Sequence, residues 1–376
     1  MGYAAATFAR ELTARGWSIA IATSNLPGGP AEEEKPEGSV RQFNINGDAS
    51  IWFPLSGDVT ALEQWIAAQA PDIVVIHGWQ GWGVRFVPKL QTLGIPVILQ
   101  SHGFGMHRME WKLRPPFGLK IWFGYQPFVW RLPAFIKNLA ALSVLSEMPR
   151  FLTGFDHWIG EKFKCRNVVN IPNGVEPVKG NADDFFDICP EAKGKFIVLC
   201  IANYCDRKNQ LRMLEVAREL DSEELYFVFI GGEENHYLRM LRAKADEWQL
   251  TRRVALIHGI SRSLAESAIM ASDAALMASK WEMQPLFLLE AMSAKKPWIS
   301  TDVGSVRELR GGMISDSDAA RLAEKITALL HDDVLRESLS REGHEQWQSR
   351  FSPRVVYDRW HNLMRSVISR NPTLPI

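Results

Sequence analysis

Two doubly wound α/β domains in series are what this sequence predicts, and three observations carry the prediction. The chain has 376 residues, more than one hydrophobic core usually supports, at an ordinary globular composition of 46% apolar and 23% charged residues. Short apolar runs alternate with helix-period segments twice over, once before residue 175 and again after residue 195. Several strands of both series end in histidine or glycine turns, at the sheet edge where open parallel sheets gather ligands.

Composition narrows the function classes. Lys plus Arg equals Asp plus Glu at 43 each, which argues against broad electrostatic binding of nucleic acid. Cys165, Cys189, Cys200 and Cys205 include no CxxC pair and no histidine at zinc-like spacing, so free thiols in a reducing compartment are expected and no metal site. No signal-peptide pattern opens the chain and no apolar run reaches the roughly 18 residues of a membrane span, which makes the cytoplasm the expected compartment. Neither GxGxxG nor GxxxxGK[ST] occurs, so the NAD and P-loop fingerprints are absent.

Taken in order, Ala5, Phe8, Ala9 and Leu12 recur at helical spacing, Gly16 stops that helix, and Ile19 to Thr23 reads as a buried strand. A parallel domain ordinarily opens with a strand and a glycine-bearing turn, whereas this chain opens inside the helix. The first strand and its Gly-rich loop are therefore expected to be missing from the N-terminal domain, leaving its neighbours unpaired. After a Gly, Pro and Glu-rich loop at Pro27 to Gly38, Asp72 to His77 and Pro96 to Gln100 read as parallel strands around a helix at Val84 to Leu93. Each strand runs into a histidine, His77 or His102, which either caps its own loop or faces a ligand.

Residues 106–137 are aromatic and basic, with six cations against Glu110 for a local net charge of about +5. Such a segment suits an anionic membrane surface or a packed cover over an acceptor groove. Ala140 to Ser146 and Asn167 to Ile171 complete the first series. The span from Glu176 to Gly194 lacks clear periodicity and reads as a linker.

The second series runs through strands at Phe196 to Ala202, Leu225 to Ile230, Val254 to His258 and Ala274 to Met277, with helices at Asn209 to Leu220, His236 to Trp248 and Ser261 to Ala271 between them. The turn Asn203-Tyr204-Cys205-Asp206-Arg207-Lys208-Asn209 sets two cations beside a helix N-terminus, a candidate anion site. The stretch Ala278 to Gly304 places Glu282 ahead of a helix and Glu290 inside it, with Pro285 suited to the first helical position. On charge spacing alone the two glutamates are as readily a loop charge and a solvated helix residue. Helices at Ala319 to Leu330, Asp333 to Phe351 and Val355 to Ile368 close the chain.

This array resembles the retaining glycosyltransferases of family 4, which have the GT-B fold. The resemblance rests on Glu282, seven residues, then Glu290-Ala291-Met292; on Ile171-Pro172-Asn173-Gly174-Val175; on the Lys208-Asn209 turn; and on Ile230-Gly231-Gly232 and His258-Gly259. It implies two facing Rossmann-like domains with an interdomain cleft: residues 1–175 on the acceptor side, 176–194 as linker, 195–350 binding a nucleotide sugar, and 351–376 a helix crossing back to the first domain.

The resemblance further implies that Glu290 binds ribose hydroxyls, Glu282 contacts the donor sugar near its reacting face, and Lys208 neutralises the diphosphate with help from Arg207 and Asn203. His102 would contact the donor sugar from the first domain. Backbone groups at Met283, Gln284, Pro285 and Leu286 would hold sugar hydroxyls, and those at Gly259 and Ile260 would border the base. No cofactor is implied beyond the nucleotide sugar as co-substrate. Two departures from the family pattern stand out: the arginine that commonly precedes the family lysine is absent, with Arg207 as its substitute, and Met283-Gln284 stands where a glycine-containing pair is frequent, a change that bears on donor-sugar choice.

The expected function is transfer of a sugar from a nucleoside-diphosphate sugar to a glycan or lipid-linked acceptor with retention, in cell-surface polysaccharide or lipopolysaccharide synthesis. The expected place is the cytoplasm or the inner face of the membrane. The alternatives are a catalytically impaired binding or scaffold protein and a GT-B epimerase or phosphorylase.

Overall fold

The computed structural model of the chain describes residues 2–24, 32–35, 38–47, 54–78, 82–102, 139–145 and 167–370. The aromatic and basic segment at 106–137 lies outside the described residues. The chain divides into two compact units, residues 1–172 with 356–376 and residues 173–355.

The first unit opens with helix α1 (Gly2–Thr13), whose Ala9 and Leu12 are buried. Strands β1 (Ala20–Ser24), β2 (Glu32–Lys35) and β3 (Gly38–Phe43) follow. β1 pairs with β3 in parallel and β2 pairs with β3 antiparallel. The loop expected at Pro27 to Gly38 thus contains a strand, because pairing with β3 overrides the weak strand preference of Glu-Glu-Glu-Lys. A two-residue ladder, β4 (Ile45–Asn46) with β5 (Ser56–Gly57), leads into α2 (Val59–Gln69).

A second sheet in this unit is fully parallel, in the order β6 (Val74–His77), β7 (Val97–Gln100), β8 (Ala141–Val144), β9 (Val168–Asn170). The helix expected between β6 and β7 is a 3-10 turn at Trp82–Phe86 followed by α3 (Val87–Thr92). Parallel strands buried on both faces read as continuous apolar runs, and β7 and β8 are buried along their whole length. β1 and β6, by contrast, are partly exposed and are each paired on one side only among the described residues.

The second unit opens with α4 (Ala182–Ile188), inside the span expected as a linker. Asn181 caps it by accepting from the Asp183 amide, and Phe185, 0% exposed, enters the same core as Ile197, Val228 and Trp298. Seven residues with three acids are too short and too charged for periodicity to reveal a helix.

Its sheet has six parallel strands in the order β12 (Val254–His258), β11 (Leu225–Gly231), β10 (Phe196–Ile201), β13 (Ala274–Met277), β14 (Trp298–Thr301), β15 (Gly312–Ser315). Helices α5 (Gln210–Glu219), α6 (His236–Glu247), α7 (Arg262–Ala271), α8 (Leu286–Ser293), α9 (Ala319–His331) and α10 (Asp333–Gln346) connect or cover the strands.

The helix expected from Asp333 to Phe351 runs as α10 to Gln346 and continues as a π-helix over Trp347–Phe351, after which α11 (Pro353–Ser369) begins. Pro353 suits the first position of α11, since its missing N–H has no intrahelical partner to lose. Val356, Tyr357, Trp360 and Met364 of α11 pack with Leu12, Ile98 and Ile171 of the first unit.

Phe185→Ala is expected to destabilise the second unit by about 3–5 kcal/mol, the usual result of emptying a buried phenylalanine site. The measurement is the urea midpoint, and an unchanged midpoint would return residues 176–194 to the status of a linker.

Candidate functional site

Numbered within the second unit, the strand order is 3-2-1-4-5-6, the doubly wound arrangement that reverses direction between its first and fourth strands. Those strands are β10 and β13, paired through Val198 with Ala274 and Leu199 with Ala275. The connections leaving their carboxyl ends diverge to opposite faces, so the loops after β10 and β13 meet above the sheet edge.

The β10 loop supplies a 3-10 turn, Asp206–Lys208, that stops at Asn209 in the left-handed region with φ 56°. Asn209 tolerates that conformation and fastens the turn to the other loop by donating its Nδ2 to the Ala278 carbonyl at 3.1 Å. The β13 loop brings Glu282, only 6% exposed. Its Oε1 accepts from Lys208 Nζ at 2.5 Å, and its Oε2 lies 3.7 Å from Arg207 Nη1. A carboxylate this buried needs such partners, because an unpaired charge out of water is costly. Arg207 also stacks on the Trp281 ring at 4.5 Å, and Lys280 pairs with Asp206 at 2.5 Å.

Glu282 is held from behind by the β14 loop. Ser305 donates its amide to the Met283 carbonyl at 2.8 Å, and Gly304 sits at φ +54°. A Cβ on Gly304 would overlap the Met283 carbonyl oxygen and lie 2.5 Å from that of Glu282, so only glycine fits. Gln284 accepts from the Asn173 amide at 2.7 Å, tying the loop to the chain entering this unit.

Pro285 is extended, with φ −76° and ψ 101°, and α8 begins at Leu286, one residue later than expected. Glu290 lies in the second turn of α8, 5% exposed, and accepts at Oε1 from Arg262 Nη2 at 2.7 Å. Burial pushes its carboxyl above the ordinary carboxylate range, and the Arg262 charge and hydrogen bond oppose that shift.

The neighbouring strand ends are fixed by packing. Gly231 admits the Tyr204 ring where a side chain would collide with it, and the Tyr204 hydroxyl lies 2.8 and 2.7 Å from the carbonyls of Phe229 and Ile257. Gly259 follows β12 at φ +70° with its amide donating to the Gly232 carbonyl at 2.7 Å, and Ile260 packs partly buried on the core. Asn203 is exposed, and its carbonyl accepts from Gln210 Nε2 at 3.0 Å. Cys200 is buried in β10, where burial pushes its thiol up to about 12, well outside nucleophile range.

His102 belongs to the first unit. Its Nε2 lies 3.4 Å from His77 Nδ1, the two rings stack at 5.7 Å between centroids, and Phe8 meets His77 edge-on at 4.9 Å. The histidines therefore contact each other instead of only capping their own loops. Burial holds both down to about 4, with the neighbouring His102 charge a further cause at His77.

Of the residues singled out in the sequence, Arg207, Lys208 and Glu282 meet directly, and Met283 to Leu286, Glu290, Gly259 and Ile260 lie in loops or helices that follow strands of the same sheet. Sequence reading missed Arg262, Trp281 and Tyr204. The Arg262–Glu266 spacing of four, a helix-face ion pair at 2.9 Å, was the one local sign of the first. Among the described residues no group of three or more His, Cys, Asp or Glu could hold a metal ion, and no helix is long and apolar enough to cross a membrane.

Comparison with known proteins converges on the same architecture. The family described as glycosyl transferases group 1 matches residues 181–346, and a glycosyl transferase 4-like domain matches residues 1–158. A lipopolysaccharide core biosynthesis glycosyltransferase, LpsD of Rhizobium meliloti (strain 1021), is 27% identical over 181 residues, 46% of this chain. That match takes in 51% of the relative, so the chain spans about half the length of the curated relative it matches.

Among solved structures, sucrose-phosphate synthase from Thermosynechococcus elongatus aligns with TM-score 0.76 at 16% identity, covering 96% of this chain and 92% of the other. Anabaena HepE in complex with UDP aligns with TM-score 0.65 at 14% identity, over 82% and 83%. A UDP-forming trehalose-phosphate synthase from Burkholderia xenovorans gives 0.66 at 14% identity, over 93% and 99%. The domain matches support a glycosyltransferase, and the solved structures show its GT-B fold.

Gly304→Ala is expected to cost about 1–3 kcal/mol through backbone strain and to displace the Glu282 loop, checked by urea unfolding. A histidine that stays neutral when folded but takes a proton near its ordinary 6.5 when unfolded favours the unfolded chain as pH falls. The first unit is therefore expected to lose stability between about pH 6.5 and 4 and to be insensitive above that window. The His77→Asn/His102→Asn double variant should show a flatter urea midpoint across the same range.

Proposed function

We propose that this GT-B glycosyltransferase moves a sugar, with retention of configuration, from a nucleoside-diphosphate sugar to a glycan or lipid-linked acceptor in cell-surface polysaccharide or lipopolysaccharide synthesis. The observation that carries this reading is the meeting of Lys208, Arg207 and Glu282 at the switch point of a six-stranded parallel sheet, with the helix bearing Glu290 beginning directly after. Cations, a helix N-terminus and two buried carboxylates suit the two halves of such a donor: phosphate oxygens on one side, sugar hydroxyls on the other. The likeness to LpsD, a lipopolysaccharide core biosynthesis glycosyltransferase, supports the pathway, and the UDP complexes of HepE support the class of donor.

In the proposed reaction the bond between the donor's anomeric carbon and the diphosphate oxygen breaks, and a bond from that carbon to an acceptor hydroxyl oxygen forms. The electron pair of the broken bond stays on the diphosphate oxygen, where negative charge builds, and that oxygen takes up the acceptor hydroxyl's proton. Lys208, with Arg207 and Asn203 beside it, meets that charge, stabilising the transition state more than the ground state.

Lys208 Nζ is engaged with Glu282 before the donor arrives, so an incoming diphosphate shares or displaces that contact and turns Glu282 toward the donor sugar. Glu290 accepts from the ribose hydroxyls. The backbone of Met283 to Leu286 takes sugar hydroxyls, the Gly259-Ile260 turn borders the base, and His102 contacts the sugar as a neutral imidazole. Charge neutralisation falls to these side chains without a metal, and no protein nucleophile is assigned. The reading keeps the protein on the cytoplasmic side, with residues 106–137 against an anionic membrane surface.

Isothermal titration with UDP, GDP and ADP sugars is the direct test. Lys208→Ala and Glu290→Gln are each expected to weaken the bound donor at least about tenfold, as loss of a charged hydrogen bond does. Donor affinity unchanged in both variants would refute the assignment. Proton NMR of the product, showing the same anomer as the donor, checks retention.

A further inference from the structure

The two buried carboxylates of the second unit are held differently. Glu282 has cations on both oxygens, whereas Glu290 meets a guanidinium at Oε1. That partner, Arg262, stands at the start of α7, where Ser261 caps the helix by accepting from the Leu264 amide at 3.2 Å. Arg262 spends its Nε on Glu266 Oε1 at 2.9 Å and its Nη2 on Glu290 Oε1 at 2.7 Å. Glu266 is anchored in turn, since its Oε2 accepts from the Lys179 amide at 3.2 Å. A relay thus runs from the backbone at Lys179 through Glu266 and Arg262 to Glu290.

We infer that Arg262 is the positioning residue for Glu290, holding it by Oε1 so that Oε2 is presented to the hydroxyls of the nucleotide's ribose. The inference rests on the assignment of Glu290 to the ribose made above. Its physical basis is geometric: a guanidinium fork fixed at Nε by a second carboxylate has one remaining direction in which Nη2 can point, and Glu290 lies on it. Electrostatics add to this. The charged groups facing Glu290 are Arg262 and Glu266, and without the cation both burial and the Glu266 charge would favour the protonated acid. A protonated Glu290 would present a weaker, partly donor-occupied carboxyl to the ribose hydroxyls. Arg262 itself contacts no reacting atom, so its effect is confined to the ribose end of the donor.

The probes are UDP, GDP and ADP, each beside its 2′,3′-dideoxy counterpart, titrated calorimetrically against the full chain. Arg262→Gln is expected to weaken the preferred diphosphate about tenfold and to leave its dideoxy counterpart within about twofold, since the missing hydroxyls are the groups Glu290 serves. Arg262→Lys, which keeps the charge but not the fork, should recover part of the loss. In a Glu290→Gln background, Arg262→Gln should have no further effect.

Equal weakening of the ribose and dideoxy ligands would make Arg262 merely structural and overturn the inference, as would an additive double variant. If Glu290→Gln discriminates the two ligands and Arg262→Gln does not, this inference alone fails. If Glu290→Gln does not discriminate them, or no diphosphate binds, the ribose assignment fails and takes this inference with it. A urea midpoint for each variant separates loss of fold from loss of binding.

Discussion

The pairing of β10 with β13 is the constraint on which the second unit's chemistry depends. Those strands are adjacent in space but separated in sequence by β11, β12 and three helices, and the residues their loops bring together, Lys208 and Glu282, stand 74 positions apart. A one-residue slip in either strand would turn its side chains to the other face and carry its loop along the sheet axis. The core on both faces of β10 and β13 resists that slip. Leu199, Ala275 and Met277 are packed into one cluster and Val198, Ala274 and Leu276 into the other. The accuracy of the ion pair is thus inherited from hydrophobic packing several residues below it.

Burying charge is a poor way to stabilise a protein, because desolvation offsets most of the Coulombic attraction. Two glutamates that are each almost inaccessible, both in segments that follow β13, therefore call for an explanation other than stability. Each is accommodated by cations that reach it from a different element, the β10 turn for Glu282 and α7 for Glu290. The consequence is a pair of carboxylates held in place among cations, an arrangement suited to a polyhydroxylated ligand with an anionic tail.

Much of this was legible in the sequence, for identifiable reasons. FIVLCI and LYFVFI can only be strands buried on both faces, and their observed bounds differ from expectation by one residue at most. The Lys208 turn and the Glu282–Glu290 spacing were visible through resemblance to a family, since spacing alone left a solvated helix residue and a loop charge as good readings. β2 was illegible because its preference comes entirely from its partner strand, and α4 because three acids mask one decisive phenylalanine. Arg262 was illegible in its main role because Glu290 lies 28 positions away, and no local pattern reports so distant an ion pair. The contact of His77 with His102 likewise follows from the parallel register of β6 and β7, in which His77 lies opposite Gln100.

Residues close to where the chain enters the second unit and close to where it leaves are bonded to each other. Val175 donates its amide to the Phe351 carbonyl at 2.9 Å, and its own carbonyl accepts from the Trp347 indole at 3.0 Å. Both groups belong to the π-helical segment Trp347–Phe351. Residues 173–355 thus form a segment whose ends are stitched together by its own side chains and backbone, the condition under which a piece of polypeptide can be inherited, duplicated or transplanted as a block without strain on the host. Recombination can therefore pair one such block with many different partners, so that what the block recognises and what its partner recognises are free to evolve on separate schedules.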